Sequence, residues 1–135
     1  MKVTVESSRA GVVHVACAED ITLYDFRTGE NPLEQALGAD CYTRKVLLSL
    51  QKSPYIDSAG VGWLVMCHKR FRDAGGCLVI HSIPPMVNHV FHLLGLTDVL
   101  NMADDEVRAE ARALGLAAVS PSASPVALGA AAQEK

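Results

Sequence analysis

The chain has 135 residues, of which half are hydrophobic and a fifth are charged, so one globular domain with its own core is expected. Its net charge of −3 excludes the strongly basic surface that is typical of nucleic-acid-binding proteins. The N-terminus lacks the apolar segment of a secretion signal, and no run approaches the roughly 18 apolar residues that a membrane span requires. We therefore expect a cytoplasmic protein with no membrane partner and no nucleic-acid partner.

The first part of the chain predicts a β-hairpin followed by an irregular segment. Residues 3–6 and 11–16 have strand composition, and the turn-forming residues 7–11 separate them. Residues 17–28 carry three acids and are predicted to form a loop or a loose helical turn. Asn31 and Pro32 then mark the start of a short helix, because asparagine is a good cap and proline fits the first helical position. This helix is expected to stop near Gly38.

Strands and helices alternate in the second half of the chain. Residues 46–50 form a continuous apolar run, which is typical of a strand covered on both faces. Residues 55–56 predict a strand end that leads almost without a loop into a long helix. The helix is expected to stop at Gly75 and Gly76, and residues 77–80 form the next strand. Its buried face is predicted from helical spacing to carry Val61, Leu64, Val65 and Phe71.

Two further helices and a short strand complete the predicted domain. The first of these helices ends at Gly95, and residues 99–102 are a short strand candidate. The acids at 104–106 fit the first turn of a last helix that runs to about residue 114. Residues 117–135 are rich in Ala, Ser and Pro and predict a disordered tail, so the domain spans residues 1–116. The buried face of the first helix is predicted to carry Val87, Val90, Phe91 and Leu94.

This order of elements predicts a single α/β domain with a mixed, mostly parallel sheet of four to five strands, an N-terminal hairpin and about four helices. Parallel crossovers are right-handed in nearly all proteins, so the helices after the third and fourth strands should cover the same face of the sheet. Ser58 then lies beyond the carboxyl end of its strand. In open α/β sheets, ligands and partners usually meet that edge.

The start of the long helix is the candidate functional site. Asp57 or Ser58 caps it, and the unpaired N–H groups of a first helical turn accommodate anions, phosphate above all. Gly60 and Gly62 weaken the same turn, because each glycine costs up to about 1 kcal/mol relative to alanine within a helix. Two glycines there indicate a close approach of backbone, either by the domain's own sheet or by a partner.

These motifs resemble the STAS domain family of bacterial anti-sigma factor antagonists. The family pattern, an apolar residue and then Asp-Ser-Ser/Thr-Gly-Leu-Gly, is matched at residues 56–62 by Ile-Asp-Ser-Ala-Gly-Val-Gly. A Gly-Gly pair before an apolar strand is matched at residues 75–80. Pro-x-Val-x-x-apolar, closing in Gly-Leu-x-x-Val-Leu, is matched at residues 85–100. The resemblance covers residues 44–113, and it implies the STAS fold because the three motifs occur in the usual order.

The resemblance implies that Ser58, directly after the aspartate, is phosphorylated. The unphosphorylated protein would bind an anti-sigma factor that is also a serine kinase, and sigma factor would be released. Phosphorylation by that kinase would end the complex, and a PP2C-type phosphatase would restore the serine. The resemblance implies no cofactor and allows a weak homo-oligomer. The expected partner-binding residues are Asp20, Asp57, Ser58, Ala59, Gly60, Val61 and Gly62.

Three features depart from the family pattern. Ala59 replaces the second hydroxyl residue, and Ser49 stands where an aspartate often ends the third strand. The loop after the second strand usually reads like Gly-x-Leu-Asp and contacts the phosphorylation edge, but here residues 17–21 are Cys-Ala-Glu-Asp-Ile, without glycine. Asp20 is the expected counterpart of the loop acid. These changes bear on the identity of the partner more than on the fold.

Two other site chemistries lack a complete motif. A hydrolase elbow requires Gly-x-Ser-x-Gly, but Ile56 occupies the first glycine position. His89 and His92 are three residues apart on a helix, without the glutamate of an H-E-x-x-H zinc site. We therefore expect neither an enzyme nor a metal protein. A catalytic base beside Ser58 would have to be a histidine, and no motif places one there. The histidines are His14, His68, His81, His89 and His92.

One alternative remains open beside the phosphorylation switch. STAS-like domains also act as unphosphorylated scaffolds in stress-signalling assemblies or as subunits of transport systems, and fold by itself does not fix function. The four cysteines bear only on the compartment, because they are widely spaced and form no C-x-x-C pair. We expect them to be reduced and mostly buried.

Overall fold

The computed structural model describes residues 1–9 and 11–115, so the tail predicted at residues 117–135 lies outside the described residues. The described chain forms one sheet with the strand order β1-β2-β3-β4-β5. β1 and β2 are antiparallel, and the other neighbours are parallel. The predicted α/β fold with its N-terminal hairpin is confirmed. The strands are Lys2–Arg9 (β1), Val12–Ala18 (β2), Lys45–Lys52 (β3), Cys77–His81 (β4) and Met102–Ala103 (β5).

Four α-helices and three short 3-10 helices connect the strands within the described residues. The predicted caps are present: the Asn31 side chain accepts a hydrogen bond from Leu33 N at 2.9 Å, and Gly75 ends the long helix with a φ of 90°. Within this part of the chain, every helix is too short or too polar to cross a lipid bilayer. The α-helices are Pro32–Leu37 (α1), Ser58–Ala74 (α2), Pro85–Leu93 (α3) and Glu106–Ala113 (α4), and the 3-10 helices are Leu23–Phe26, Cys41–Thr43 and Leu96–Asp98.

The main core lies between one face of the sheet and helices α1, α2 and α3. Because α2 and α3 both contribute to this core, the prediction that they cover the same face is confirmed. α4 packs on the opposite face, where Ala109 and Ala113 lie against Val12, Leu47 and Val79. The principal side chains of the main core are Val15, Leu33, Leu48, Leu64, Phe71, Ile80, Val87 and Phe91.

The hairpin boundary predicted at residues 7–11 is wrong. β1 continues through Arg9, and residues Ser7 to Arg9 pair with β2. The register shifts between Val5 and Ser7, so a bulge lets the polar stretch stay in the sheet. Cys17 and Ala18 were expected in the loop that follows. They are instead the last residues of β2, because they pair with Val3 and Lys2 at the start of β1.

The predicted strand end at residues 55–56 is also wrong. β3 ends at Lys52, and residues 53–57 separate it from α2. Ser53 N donates a hydrogen bond to Leu50 O at 2.9 Å, which turns the backbone out of the strand. Pro54 has no N–H that could bond to a neighbouring strand. Ile56 keeps only a single parallel bridge to Ile21. The segment before α2 is therefore an irregular connection rather than a strand.

A third expectation fails at the end of α3. Leu94 was expected on the buried face with Val87 and Phe91, but it is 56 % exposed. The helix ends at Leu93, and the backbone turns at Gly95 with a φ of 69°, so Leu94 no longer follows the helical spacing.

The four cysteines are free thiols, as predicted. Cys17, Cys41 and Cys67 are buried, and Cys77 is half-buried. Burial raises the pKa of Cys17 and of Cys67 to about 12. A thiol with so high a pKa carries almost no thiolate near neutral pH, so these side chains are packing residues rather than nucleophiles.

Two buried histidines lie on the face of the sheet that α4 covers. His14 Nδ1 is 3.1 Å from Glu106 Oε2, and His81 Nδ1 is 2.9 Å from Ser82 Oγ. Burial lowers the pKa of His81 below its ordinary value of 6.5; Glu106 acts in the opposite direction, and His14 lowers the pKa further. A buried imidazole with a lowered pKa stays neutral in the folded protein while the unfolded chain takes up the proton.

We expect His81 to make folding stability depend on pH. Above the ordinary pKa of 6.5, His81 is neutral in the folded and in the unfolded chain, so its lowered pKa has no effect; as the pH falls below 6.5, the unfolded chain takes up the proton more readily and the free energy of unfolding declines. Urea unfolding between roughly pH 7 and pH 5 should therefore show a smaller pH dependence in His81→Asn than in the wild type. Parallel stability profiles for the two proteins would assign the proton uptake to other groups.

Candidate functional site

The carboxylate of Asp57 joins two segments at the start of α2. Its Oδ1 accepts a hydrogen bond from Gly60 N at 3.0 Å, and its Oδ2 accepts one from Leu23 N at 2.9 Å. Asp57, and not Ser58, is therefore the cap of α2. The second hydrogen bond ties the loop after β2 to the start of the helix. We call this shared carboxylate, with Leu23 N and Gly60 N, the Asp57 clamp.

The loop after β2 runs alongside the irregular connection that precedes α2. Glu19 N donates to Lys52 O at 2.8 Å, and Ile21 N donates to Tyr55 O at 3.0 Å. Asp57 N returns a hydrogen bond to Ile21 O at 3.1 Å. The loop thus lies directly against the segment that leads into Ser58.

The register of this loop bears on the expected role of Asp20. Glu19 has a φ of 71°, in the left-handed region that favours glycine, and Ile21 is fully buried. Glu19 and Ile21 therefore fit the Gly and Leu of the Gly-x-Leu-Asp pattern. Thr22, whose N–H donates to Asp25 Oδ2 at 2.8 Å, then stands at the position of the loop acid. Asp20 is exposed on the same loop, and its role in partner binding stays a prediction.

Ser58 is the first residue of α2, and its side chain is exposed. Within residues 1–9 and 11–115, its hydroxyl makes no hydrogen bond, and the N–H groups of Ser58 and Ala59 donate none. Free N–H groups and the positive end of the helix dipole stabilise an anion at this position. The hydroxyl is thus open to an enzyme, and a phosphate on it would be tolerated by the folded domain.

The two glycines of the first turn have different environments. A Cβ on Gly60 would lie 2.6 Å from Ile56 Cγ1 and 2.8 Å from Ile21 O. A Cβ on Gly62 would meet nothing within 4 Å, and this residue is exposed. The sequence left open whether the domain or a partner approaches these glycines. The domain itself occupies the space at Gly60, and the surface at Gly62 is free.

Exposed apolar side chains surround the Asp57 clamp, and the sequence analysis did not identify them. Leu23 is 66 % exposed and Tyr24 67 % exposed, and Tyr55 lies on the facing segment with 48 % exposure. The Arg27 guanidinium covers the Tyr24 ring at 3.8 Å from its centre. The sequence signal for these residues was the presence of large apolar side chains in an acid-rich loop. Such a loop offers these side chains no core to enter, so they stay exposed.

A polar network fixes α1 against α2. Trp63 Nε1 donates to Asn31 Oδ1 at 2.9 Å, so the asparagine that caps α1 also holds an aromatic ring of α2. Arg70 Nη1 donates to Glu34 Oε2 at 3.0 Å, and the Tyr42 hydroxyl donates to the same carboxylate. Burial and the Glu34 carboxylate raise the pKa of Tyr42, so its phenol remains a donor. The two helices are therefore held together by side chains that are far apart in sequence.

An open groove of about 610 Å³ lies between α1 and α2. On the α2 side it is lined by Ala59, Gly62 and Met66, and it begins one residue after Ser58. On the other side it is lined by Phe26 and Glu30, which precede α1. The candidate phosphorylation residue thus stands at one end of a preformed depression.

The histidines do not assemble a second site. His14 and His81 lie on the α4 face of the sheet, opposite to α2, and no hydrogen bond within the described residues joins a histidine to Ser58. His89 and His92 are exposed on α3. The described chain holds no group of three or more His, Cys, Asp or Glu side chains arranged to bind a metal ion.

Comparisons with known proteins identify the family. The model of the STAS domain matches residues 5–109. A candidate anti-sigma factor antagonist of Bordetella bronchiseptica, BtrV, is 31 % identical over 101 residues, which cover 75 % of this chain and 78 % of BtrV. The chain therefore belongs to the STAS domain family.

Solved structures show the same fold. A candidate anti-sigma factor antagonist of Thermotoga maritima, TM1081, has a TM-score of 0.68 at 19 % identity, over 80 % of this chain and 92 % of that one. The anti-sigma factor antagonist SpoIIAA in its unphosphorylated form has a TM-score of 0.60 at 18 % identity, over 82 % and 95 %. The Bacillus protein SpoIIAA in its phosphorylated form has a TM-score of 0.56 at 18 % identity, over 80 % and 96 %.

We expect opposite effects on stability from the two glycines. Gly60→Ala should lower the free energy of unfolding by about 1–3 kcal/mol, because its Cβ would overlap Ile56 and Ile21. Gly62→Ala should raise it by up to about 1 kcal/mol, because alanine is the better helix former and meets no neighbour. Urea unfolding of both variants measures the difference. A loss of stability in both would contradict the assignment of Gly62 to free surface.

Removal of the Asp57 carboxylate should destabilise the domain. Asp57→Ala loses the helix cap and the hydrogen bond from Leu23 N, and we expect a loss of about 1–2 kcal/mol in thermal or urea unfolding. Asp57→Asn keeps one oxygen acceptor and should lose less. Ser58→Ala is the matched control on the next residue, with a change of less than about 0.5 kcal/mol, because its side chain is exposed. Equal losses for Asp57→Ala and Ser58→Ala would contradict the clamp.

Proposed function

We propose that this protein is an anti-sigma factor antagonist that binds an anti-sigma factor at the edge formed by residues 57–62 and by the loop after β2, and that phosphorylation of Ser58 ends this binding. The carrying observation is the placement of Ser58: exposed, first in α2, beside free N–H groups and fixed by the Asp57 clamp. The likeness to BtrV and SpoIIAA, both of them named as antagonists, supports this role.

The proposed contact surface has the composition of a protein-binding edge. It combines the exposed apolar side chains Leu23, Tyr24 and Tyr55 with the free surface at Gly62. Tyrosine is enriched in interfaces because its ring is large and rigid and its hydroxyl stays hydrogen-bonded. Ala59 and Val61 are among the proposed contacts, although Val61 is 8 % exposed and contributes mainly by holding the helix turn in place.

Charge explains how one phosphate ends the complex. A phosphoserine adds roughly −1.5 to −2 charges. A unit like-charge pair at 4 Å costs up to about 4 kcal/mol at an effective dielectric constant of 20. Half of that value already lowers affinity more than about tenfold. In the free protein the helix N-terminus and water stabilise the same phosphate, so the domain stays folded while the interface is lost.

The proposed cycle needs two enzymes that act on this protein, for which we propose the role of a binding module. The anti-sigma factor serves as the serine kinase, and a PP2C-type phosphatase restores the hydroxyl. Such a cycle operates in the cytoplasm, where the kinase has access to ATP. The alternative to this switch is an unphosphorylated STAS scaffold. Such a scaffold would bind its partners equally well with and without a charge at position 58.

We expect Ser58→Asp to weaken binding to the cognate anti-sigma factor kinase by at least about tenfold, because the carboxylate places a negative charge in the contact. Ser58→Ala should bind like the wild type and should not be phosphorylated. Calorimetric titration of the kinase with each protein measures the affinities, and mass spectrometry of the products measures the phosphorylation.

Ser58→Asn is the matched control for size, since it has the shape of the aspartate without the charge. Equal affinities of the wild type and Ser58→Asp for the kinase would exclude the switch and leave the scaffold. Phosphorylation of Ser58→Ala at another residue would move the switch to that residue.

A further inference from the structure

We propose that the groove between α1 and α2 receives one helix of the anti-sigma factor, packed antiparallel to α2, with aliphatic side chains in the groove and a lysine or arginine at Glu30. This inference rests on the proposed function for the identity of the partner. It extends the contact surface well beyond residues 57–62, along the outer side of α2 as far as Arg70.

The dimensions of the groove fit a helix. Its α2 wall runs from Ala59 to Arg70, which at 1.5 Å per residue corresponds to about 16 Å, or three helical turns. Phe26 and Met66 give this depression apolar walls, and the small exposed part of Trp63 (4 %) lines it as well. An amphipathic helix that lays its apolar face in such a groove is a recurring mode of protein recognition.

Gly62 opens the groove to close approach. It is exposed in the first turns of α2, a Cβ would meet nothing within 4 Å, and the folded domain gives no reason for a glycine there. Small residues on a helix surface let a second helix approach more closely. Ala59 lies one turn earlier on the same side of α2, and its small side chain leaves room for a partner next to Ser58.

The walls of the groove are fixed before any partner binds. Trp63 is held by Asn31, and Arg70 by Glu34, so α1 and α2 cannot separate without loss of these hydrogen bonds. Phe26 packs on Trp63 with ring centres 5.6 Å apart. A preformed groove lowers the entropic cost of binding, so the incoming helix loses little affinity to rearrangement of this protein.

The charges at the groove specify the partner's chemistry. Arg70 is already paired with Glu34. The Glu30 carboxylate accepts hydrogen bonds from Gln35 and Thr28, and within the described residues no cation pairs with it. The groove therefore carries an excess of negative charge, and a basic side chain on the incoming helix matches it.

The orientation follows from the helix dipoles. The N-terminus of α2 is positive, so an antiparallel helix places its negative carbonyl end there. Ser58 stands at that end of the groove, one residue before Ala59. A phosphate on Ser58 would meet the carbonyl end of the docked helix, which connects occupancy of the groove to the proposed switch.

The decisive variant is Met66→Lys, titrated into the cognate anti-sigma factor kinase by calorimetry, because Met66 lines the groove beyond residues 57–62. Met66 is 38 % exposed, so the variant should stay folded, and urea unfolding checks this. We expect its affinity to fall at least tenfold. Met86→Lys makes the same substitution at an exposed methionine of α3 outside the groove and should change the affinity less than twofold.

The charge is tested by Glu30→Lys, which should weaken binding and reduce its dependence on salt concentration, because it removes an attractive ion pair. Glu30→Gln is its matched control and should have a smaller effect. The helix itself is tested by NMR of the complex: contacts from the Phe26 ring and the Met66 methyl should go to aliphatic side chains spaced three and four residues apart.

The outcomes separate this inference from the proposed function. If Ser58→Asp weakens binding while Met66→Lys binds like the wild type, the switch stands and the groove proposal is overturned. If Met66→Lys and Glu30→Lys weaken binding while Ser58→Asp does not, the groove is a docking site and the phosphorylation switch is excluded. NMR contacts to an extended segment or to a loop would overturn the helical occupant.

Discussion

The arrangement of the candidate site depends on one carboxylate that two backbone segments share. Asp57 accepts from Gly60 N in its own helix and from Leu23 N in the loop after β2, at 3.0 and 2.9 Å. Because both bonds end on the same side chain, the helix start and the loop cannot move independently. Ser58 is the next residue, so the two hydrogen bonds of Asp57 also fix its position on the surface. The free N–H groups at this helix end then face solvent and any incoming partner or phosphate.

The two glycines in the first turn of α2 have different environments in the fold. Gly60 is required by the interior, since Ile21 and Ile56 occupy the space that a side chain would need. Gly62, two residues later, contacts nothing in the domain. The alternation follows from the helix, in which successive residues turn by about 100° and residues two apart point to different sides. One glycine thus lets α2 approach the sheet edge, while the other leaves the outer surface open.

The two faces of the sheet differ in chemistry. The face under α1, α2 and α3 holds the large apolar core, and the proposed binding edge lies on this side. The face under α4 carries a small cluster of alanines and valines with the two buried histidines, His14 and His81. Ser58 lies at the surface on one side of the sheet, whereas His81, whose pKa is lowered by burial, lies beneath α4 on the other side. The sheet separates these two residues.

Several elements were predictable from sequence because their signals are local. The cap at Asn31, the stop at Gly75 and the apolar run of β3 need only neighbouring residues, and the motif around Ser58 indicated both the family and the fold. The end of β3, the extent of β1 and the exposure of Leu94 were predicted wrongly, because a bulge, a backbone turn at Ser53 and a helix end decide them. None of these leaves a periodic signal in sequence.

The sequence by itself determined the order of strands and helices, the family and the serine at the start of α2. Only the tertiary structure decided which acid caps the helix, which glycine is free, and that Asn31 and Trp63 join α1 to α2. The physical reason is the distance along the chain. Leu23 and Asp57, like Asn31 and Trp63, are more than thirty residues apart and meet only when the sheet brings their segments together.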